Sequence, residues 1–294
     1  MESLVSICIP VYNAEKTIAK TIASILAQTY TDFELIIVDN ASTDKSVDIV
    51  KSFQDPRISL IEYHTHLPNA ELNWDRCFYH AKGEYMAIFH ADDIYLPDMI
   101  KRQIETFRND PLIVGVFTLG NIINDKDEIV SEFHIPKEII GGCILFESIL
   151  LYADFLPTPT AMLKRDVYTK CSPFRYDEFK SASDLDMWLR VISFGTLAII
   201  NEKLFNYRIS KSQGSNTLFR LRTKEADYFK VMDYHLGKNN VSEEVKTSYE
   251  LSRFGDHIKC QINFLRKYLR YLLTHPGLVY EKYKMFNYFK RFKA

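Results

Sequence analysis

The 294-residue sequence lacks any long apolar run. Its densest stretch, around 149–153, is interrupted well short of the roughly 18 residues that a transmembrane helix needs. Cysteine is scarce: Cys8, Cys77, Cys143, Cys171 and Cys260 are odd in number, scattered, and form no Cys-x-x-Cys pair. That excludes a disulfide framework and fits buried thiols in a reducing compartment. Neither sign of charge is in excess, with 37 Lys+Arg against 38 Asp+Glu and a formal net charge of −1. A dedicated nucleic-acid binder would show a basic surplus, so no nucleic-acid partner is expected. The chain opens Met1-Glu2 and enters an apolar run without a basic segment, which does not read as a signal peptide. What remains is a globular, cytosolic composition, 47 % hydrophobic and 14 % aromatic, long enough to bury a large core.

The first 120 residues alternate between two periodicities. Residues 5–10 form a β-rich run closed by Pro10, after which Ile18, Ile22, Ile25 and Leu26 recur at helical spacing. Residues 33–38 are nearly all apolar, as in a strand buried on both faces of a parallel sheet. A short helix through Val47, Val50 and Phe53 and a third strand over 58–63 follow. Trp74, Cys77, Phe78 and Ala81 then mark a helix closed by Gly83 at its C′ position. A fourth strand (85–89), a helix from Pro97 to about Arg108 and a fifth strand (114–119) complete the pattern. Strand–helix alternation predicts an α/β fold with a mainly parallel central sheet flanked by helices. Farther on, 124–127 reads as a turn between short strands, 141–152 as a helix and 160–164 as a strand. Residues 183–192 read as a helix, and 196–200 and 204–209 as two strands. Beyond Leu218 the pattern is helical, broken at 237–240 and 275–277, with no internal repeat or low-complexity segment. A boundary near residue 215 divides an α/β domain (1–215) from a helical C-terminal region (216–294).

Ligands of parallel sheets gather at the carboxyl ends of the strands, which makes Tyr12, Asn13 and the runs 39–44 and 90–93 the residues to weigh. The turn Pro10-Val11-Tyr12-Asn13-Ala14-Glu15 has no glycine, so neither glycine-rich phosphate loop is possible there. A nucleotide would be held by side chains and a metal. No His-Glu-x-x-His occurs, and His64-x-His66 alone reads as two solvent-facing histidines. Asp92-Asp93 is the sharpest local feature, because adjacent carboxylates at a buried strand end repel each other unless a cation or donor neutralises them. Hard oxygen ligands suit Mg²⁺ or Mn²⁺ bridging to a phosphate; an ordinary polar turn is the plainer alternative. Asp39 is placed to accept from a base or ribose, while Ser42 or Thr43 caps the next helix. In 183–190, Ser183 and Asp186 resemble a capping box, and Asp186 and Arg190 pair at i,i+4. Asp184, in the first turn, is the candidate general base.

Pro10-Val11-Tyr12-Asn13, the turn bearing Asp39, Ala81-Lys82-Gly83-Glu84-Tyr85 leading to Asp92-Asp93, the Asp184-x-Asp186-x-Trp188-x-Arg190 helix, and Tyr207-Arg208 follow one another in order. Over roughly residues 3–215 they resemble the family 2 glycosyltransferases of the GT-A fold. The resemblance implies a metal-dependent, inverting transferase that uses a nucleotide-diphosphate sugar, UDP- or dTDP-linked. Its acceptor would be a hydroxyl of a surface glycan or lipid-linked oligosaccharide. A polyprenyl-phosphate glycosyltransferase and a catalytically silent sugar-nucleotide binding protein are the alternatives. By the same resemblance, Pro10, Tyr12 and Asn13 would line the nucleotide pocket with Tyr12 against the base. Asp39 would accept from the base, Asn69 would lie in the segment touching it, and Asp92 would contact the ribose. Asp93 would ligate Mn²⁺ or Mg²⁺, and Asp184 would be the catalytic base. Three positions depart from the family pattern: His90 stands for an acid, Ser183 for a glutamate, and no histidine stands near Ser210, leaving Arg208 or Lys211 at the diphosphate.

The near-zero charge hides an uneven distribution. Residues 264–294 carry eight Lys/Arg and one acid, a local +7 against −8 for 1–263. Ile262, Leu265, Tyr268, Leu269 and Leu272 form an apolar stripe beside Arg266, Lys267 and Arg270, and aromatic and basic residues interleave through 282–292. Such a tail fits either docking on an anionic membrane surface, with the protein peripheral on its inner face, or packing on the catalytic domain or a second copy in a homodimer.

Overall fold

Period-2 alternation in the first strands assigns their side chains to two faces, and both faces are covered. The computed structural model describes residues 3–136, 139, 142–152, 156–210 and 222–274. Its strands are β1 (Val5–Val11), β2 (Phe33–Asn40), β3 (Ile58–Tyr63), β4 (Tyr85–Ile88), β5 (Ile94–Tyr95), β6 (Ile113–Ile123), β7 (Ile129–Glu132), β8 (Cys143–Ile144), β9 (Met162–Lys164) and β10 (Thr196–Arg208). Between them lie α1 (Ile18–Leu26), α2 (Ser46–Lys51), α3 (Ala70–Phe78), α4 (Met99–Asn109), α5 (Phe146–Leu151), α6 (Arg165–Cys171), α7 (Tyr176–Phe179) and α8 (Ser183–Val191). Helices α9 (Tyr228–Leu236) and α10 (Glu243–Thr274) follow.

One mixed sheet runs β3-β2-β1-β4-β9-β6-β10-β5, with β7 on β6 and β8 on β10. β3, β2, β1 and β4 are parallel, as are β6 and β10, while β9 joins the two blocks antiparallel to both. Val5, Ile7, Ile9 and Val11 of β1 pack with Ile18, Ile22 and Ile25 of α1 and Ile104 and Phe107 of α4. Cys8 points the other way, into a cluster with Trp74 and Cys77 of α3, Trp188 of α8, and Met232 and Val245 of α9 and α10. Burying an aliphatic side chain contributes about 1.5–3 kcal/mol, so this two-sided core dominates the fold's stability.

Several expectations shift. Gly83 does not close α3, which ends at Phe78. It lies where the chain crosses β1, and a Cβ there would sit 2.6 Å from the Leu4 carbonyl oxygen and 2.7 Å from the Ser6 nitrogen. Its conservation of space, not a helix cap, requires glycine. Pro97 precedes α4 by two residues. The two strands expected over 196–209 are one, β10, with register shifts against β6 in its middle. The helix expected over 141–152 is shorter, because residues 143–144 pair with β10 instead. Residues 158–160 are a 3-10 turn, leaving 162–164 as strand. The expected boundary near 215, Lys211, and the interleaved segment 282–292 fall outside the described residues.

Candidate active site

Register sets the rim: Val11 pairs with Asp39, so the loops after β1 and β2 leave the sheet side by side. They are laced together. Asn13, at φ 50°, accepts the Thr43 N–H at its Oδ1 (2.8 Å), and its own N–H donates to Ser42 Oγ at 3.0 Å. Left-handed backbone is the conformation asparagine tolerates best after glycine. Ser42 and Thr43 are engaged there and do not cap α2; Asp44 accepts the Ser46 N–H instead. Asp39, 3 % exposed, accepts the Ser42 N–H at Oδ2 (3.0 Å), while its buried Oδ1 has no hydrogen-bond partner among the described residues.

A cleft of about 1690 Å³ opens along this rim, walled by Pro10, Tyr12, Asn13, Asn69, Asp92 and Asp184 among others. That volume exceeds the ~300–1,000 Å³ of common small-ligand pockets and leaves room for two reactants. Tyr12 is exposed, and His66 lies against its ring, centroids 4.2 Å apart. His64 and His66 are thus past the end of β3, and one of them belongs to the cleft wall.

The acid pair splits in two directions. Asp92 faces the cleft, whereas Asp93 is fully buried. Asp93 Oδ1 accepts the Arg208 N–H at 2.8 Å, and Oδ2 has no hydrogen-bond partner among the described residues. Burial first, then the charge of Asp92, push its carboxyl well above the ordinary range, against the pull of Arg208. His90 stacks on Trp74 with ring centroids 5.6 Å apart, and its Nδ1 is 4.0 Å from Asp93 Oδ2. Burial holds the imidazole below its usual pKa, against Asp92, so it is neutral at pH 7, and its buried Nε2 has no hydrogen-bond partner among the described residues. Ligand atoms of His90, Asp92 and Asp93 lie within 4.8 Å of one another. Two orphaned buried atoms and a neutral imidazole beside carboxylates are a donor set a divalent cation fits.

Arg208 lines the cleft with its guanidinium engaged by protein groups. It is nearly buried, its Nε donating to the Asp92 carbonyl at 2.8 Å and its Nη1 to the Asn124 carbonyl at 2.9 Å, with an ion pair to Asp127. It braces the acid turn from β10.

Across the cleft, Asp184 begins α8. Thr158 Oγ1 donates to its Oδ2 at 2.9 Å and the Leu185 N–H to its Oδ1 at 2.8 Å. The expected capping box is absent: Ser183 is fully buried with its hydroxyl unpartnered, and Asp186 turns inward. Asp186 pairs with Arg190 as expected, but in the interior, and also with Arg175 and His235. Sequence reasoning missed Thr158, His66 and Glu71. Glu71 also lines the cleft, and burial, with the charges of Asp184 and Asp75, raises its carboxyl pKa. No spacing marks Glu71, which sits in the first turn of α3 like many solvated acids.

The sequence profile of glycosyl transferase family 2 matches residues 6–172. Among curated relatives, the Escherichia coli UDP-Glc:alpha-D-GlcNAc-diphosphoundecaprenol beta-1,3-glucosyltransferase WfgD is 31 % identical over 230 residues, covering 76 % of this chain and 84 % of that one. The E. coli enzyme WfaP, of the same description, is 29 % identical over 77 % of this chain and 86 % of its own. Among solved structures, S. aureus TarS 1-349 in complex with UDP-GlcNAc aligns with TM-score 0.65 at 15 % identity, over 86 % of this chain and 72 % of that one. Mannosyltransferase PcManGT from Pyrobaculum calidifontis, in complex with GDP-Man and Mn²⁺, gives TM-score 0.64 at 15 % identity, over 95 % and 81 %. The fold is GT-A-like. No helix among the described residues is long and apolar enough to cross a membrane.

Proposed function

Because the chain belongs to glycosyl transferase family 2, we propose that it moves a hexose from a UDP-linked donor to a hydroxyl of a lipid-linked saccharide, with inversion at the anomeric carbon. One observation carries this reading: a carboxylate, Asp184, lines the same cleft as His90 and Asp92, whose ligand atoms lie beside those of buried Asp93. The names of the two E. coli relatives favour UDP-glucose and a diphosphoundecaprenol-linked acceptor over a dTDP-sugar. A nucleotide-sugar donor and such an acceptor meet at the cytoplasmic side, where we place the protein.

In this reading Tyr12 and Pro10 flank the base, Asn69 borders it, and the orphaned Oδ1 of Asp39 accepts a base N–H. Asn13 shapes the loop rather than touching the nucleotide, since its amide oxygen already accepts from Thr43. Asp92 faces the ribose and diphosphate. His90, Asp92 and Asp93 would hold Mn²⁺ or Mg²⁺, which stabilises the charge growing on the leaving diphosphate. Asp184 takes the acceptor's hydroxyl proton as the oxygen bonds to C1 and the C1–O bond to the nucleoside diphosphate breaks. Thr158 and the Leu185 amide fix the orientation of the carboxylate. Ser183 contributes nothing to the cleft, so the missing glutamate does not remove a reacting group.

The test is UDP release from UDP-glucose with a diphospholipid-linked GlcNAc acceptor and Mn²⁺. Asp184→Asn is expected to lower turnover by roughly 10²–10⁴-fold while UDP binding holds. Donor binding without turnover on any lipid-linked acceptor would instead establish a silent binding protein.

A further inference from the structure

Among the described residues, α10 is held to the body along one face. Asp256 pairs with Arg222, Asn263 Nδ2 donates to the Arg222 carbonyl at 3.0 Å, and the Cys260 thiol donates to the Lys224 carbonyl at 3.1 Å. On the opposite face lie Leu251, Phe254, Ile258, Ile262, Leu265, Leu269 and Leu273, each between 44 % and 82 % exposed. At ~100° per residue they fall within about 50° of one line, while Cys260 sits about 170–180° away. Their steps follow an 11-residue repeat and not the 7-residue repeat that winds a stripe left-handed around a partner helix. At ~1.5 Å per residue the stripe runs roughly 33 Å.

We propose that this face of α10 seats the protein on an anionic lipid surface. Residues 257–274 contain Lys259, Arg266, Lys267 and Arg270 and no aspartate or glutamate. Lys259, Arg266 and Arg270 border one side of the stripe and Tyr268 the other, the flanks from which long cations and tyrosine reach lipid headgroups. A second copy lying parallel brings the same cations and no carboxylate; lying antiparallel, it turns Ser248, Ser252 and Gly255 toward them. An anionic lipid surface complements both the exposed apolar stripe and the cations beside it. The segment that takes the inner face of α10 also lines the cleft through Arg222, Glu225 and Ala226, so lipid on α10 adjoins the cleft mouth. That adjacency rests on the lipid-linked acceptor proposed above; the docking itself does not.

Flotation of the full chain with phosphatidylcholine vesicles, with and without about 30 % phosphatidylglycerol, tests it without donor or acceptor. Flotation is expected only with the anionic lipid. It should fall roughly tenfold or more in each of two variants, Arg266→Glu/Arg270→Glu and Ile262→Asp/Leu265→Asp, with UDP binding and melting temperature unchanged. Undiminished flotation of either variant overturns the proposal. So does a concentration-dependent dimer that Leu265→Asp dissociates while the parent chain fails to float, which would assign the face to a second copy. Loss of flotation with transferase activity intact on a detergent-solubilised acceptor separates this proposal from the catalytic one.

Discussion

Asp186 and Asp93 are equally buried, each 0 % exposed, and the protein treats them in opposite ways. Asp186 accepts from Arg175 Nε at 2.8 Å, Arg190 Nε at 2.9 Å and His235 Nε2 at 2.9 Å. Burial alone would raise its pKa, but these partners outweigh it and hold the carboxyl at about 2. Asp93 accepts one backbone N–H and, among the described residues, no side-chain hydrogen bond, and burial drives it the other way. A buried charge the chain neutralises itself is part of the framework, here tying α9 to the helix that presents Asp184. A buried charge left with an open lone pair is waiting for something that binds.

The sharpest way to break this contrast is Asp186→Ala, which removes the buried acceptor shared by Arg175, Arg190 and His235. It is expected to cost about 3–5 kcal/mol, read as a lower thermal midpoint. A shift under about 1 kcal/mol would mean that the cluster is not structural. Asp93→Asn should do the reverse: its amide oxygen still accepts from Arg208, so the melting temperature without metal holds or rises. Mn²⁺ binding, followed by calorimetry, should weaken by roughly 10-fold or more. Retained Mn²⁺ affinity would place the cation on Asp92 and His90 alone.

Acid titration sharpens the comparison further. With its folded value at about 2, below the ordinary carboxylate value, Asp186 stabilises the fold above pH ~4. Roughly 2–3 kcal/mol is lost as pH falls through 2, a limb that Asp186→Asn should flatten in equilibrium melts. Asp75 supplies the opposite sign. Burial raises it to about 6, so it costs stability as pH rises from ~4 through 6. Asp75→Asn can still accept the Phe174 N–H, and should raise the melting temperature at pH 8 more than at pH 5.

What the sequence made legible follows from periodicity. β1, β2 and β3 were readable because continuous apolar runs bounded by turns permit little else, and α1 because Ile18, Ile22 and Ile25 share one face. The strand-end rule located Tyr12, Asn13, His90 and Asp92, which all line the cleft; Asn69 came from the resemblance and Asp184 from a helix start. Side-chain direction was not legible: nothing in the dipeptide tells that Asp92 faces outward and Asp93 inward, which depends on Arg208 arriving from β10. The same holds for Asp186, whose partners Arg175 and His235 come from other elements and make an interior pair of what i,i+4 spacing marks as a surface one. Short elements such as β5 and β8 exist through pairing, not propensity, and carry no local signature.

The brace on the acid turn bears on how such a chain can be cut and recombined. The family match ends at residue 172, while the groups holding Asp92 and Asp93 in place come from Arg208, itself anchored on Asn124 and Asp127. A fragment or chimera ending with the match would keep the donor-side motifs and lose the support beneath them. Modularity in this protein therefore stops short of the motif boundary: whatever follows β9 has to be inherited together with the acids it supports.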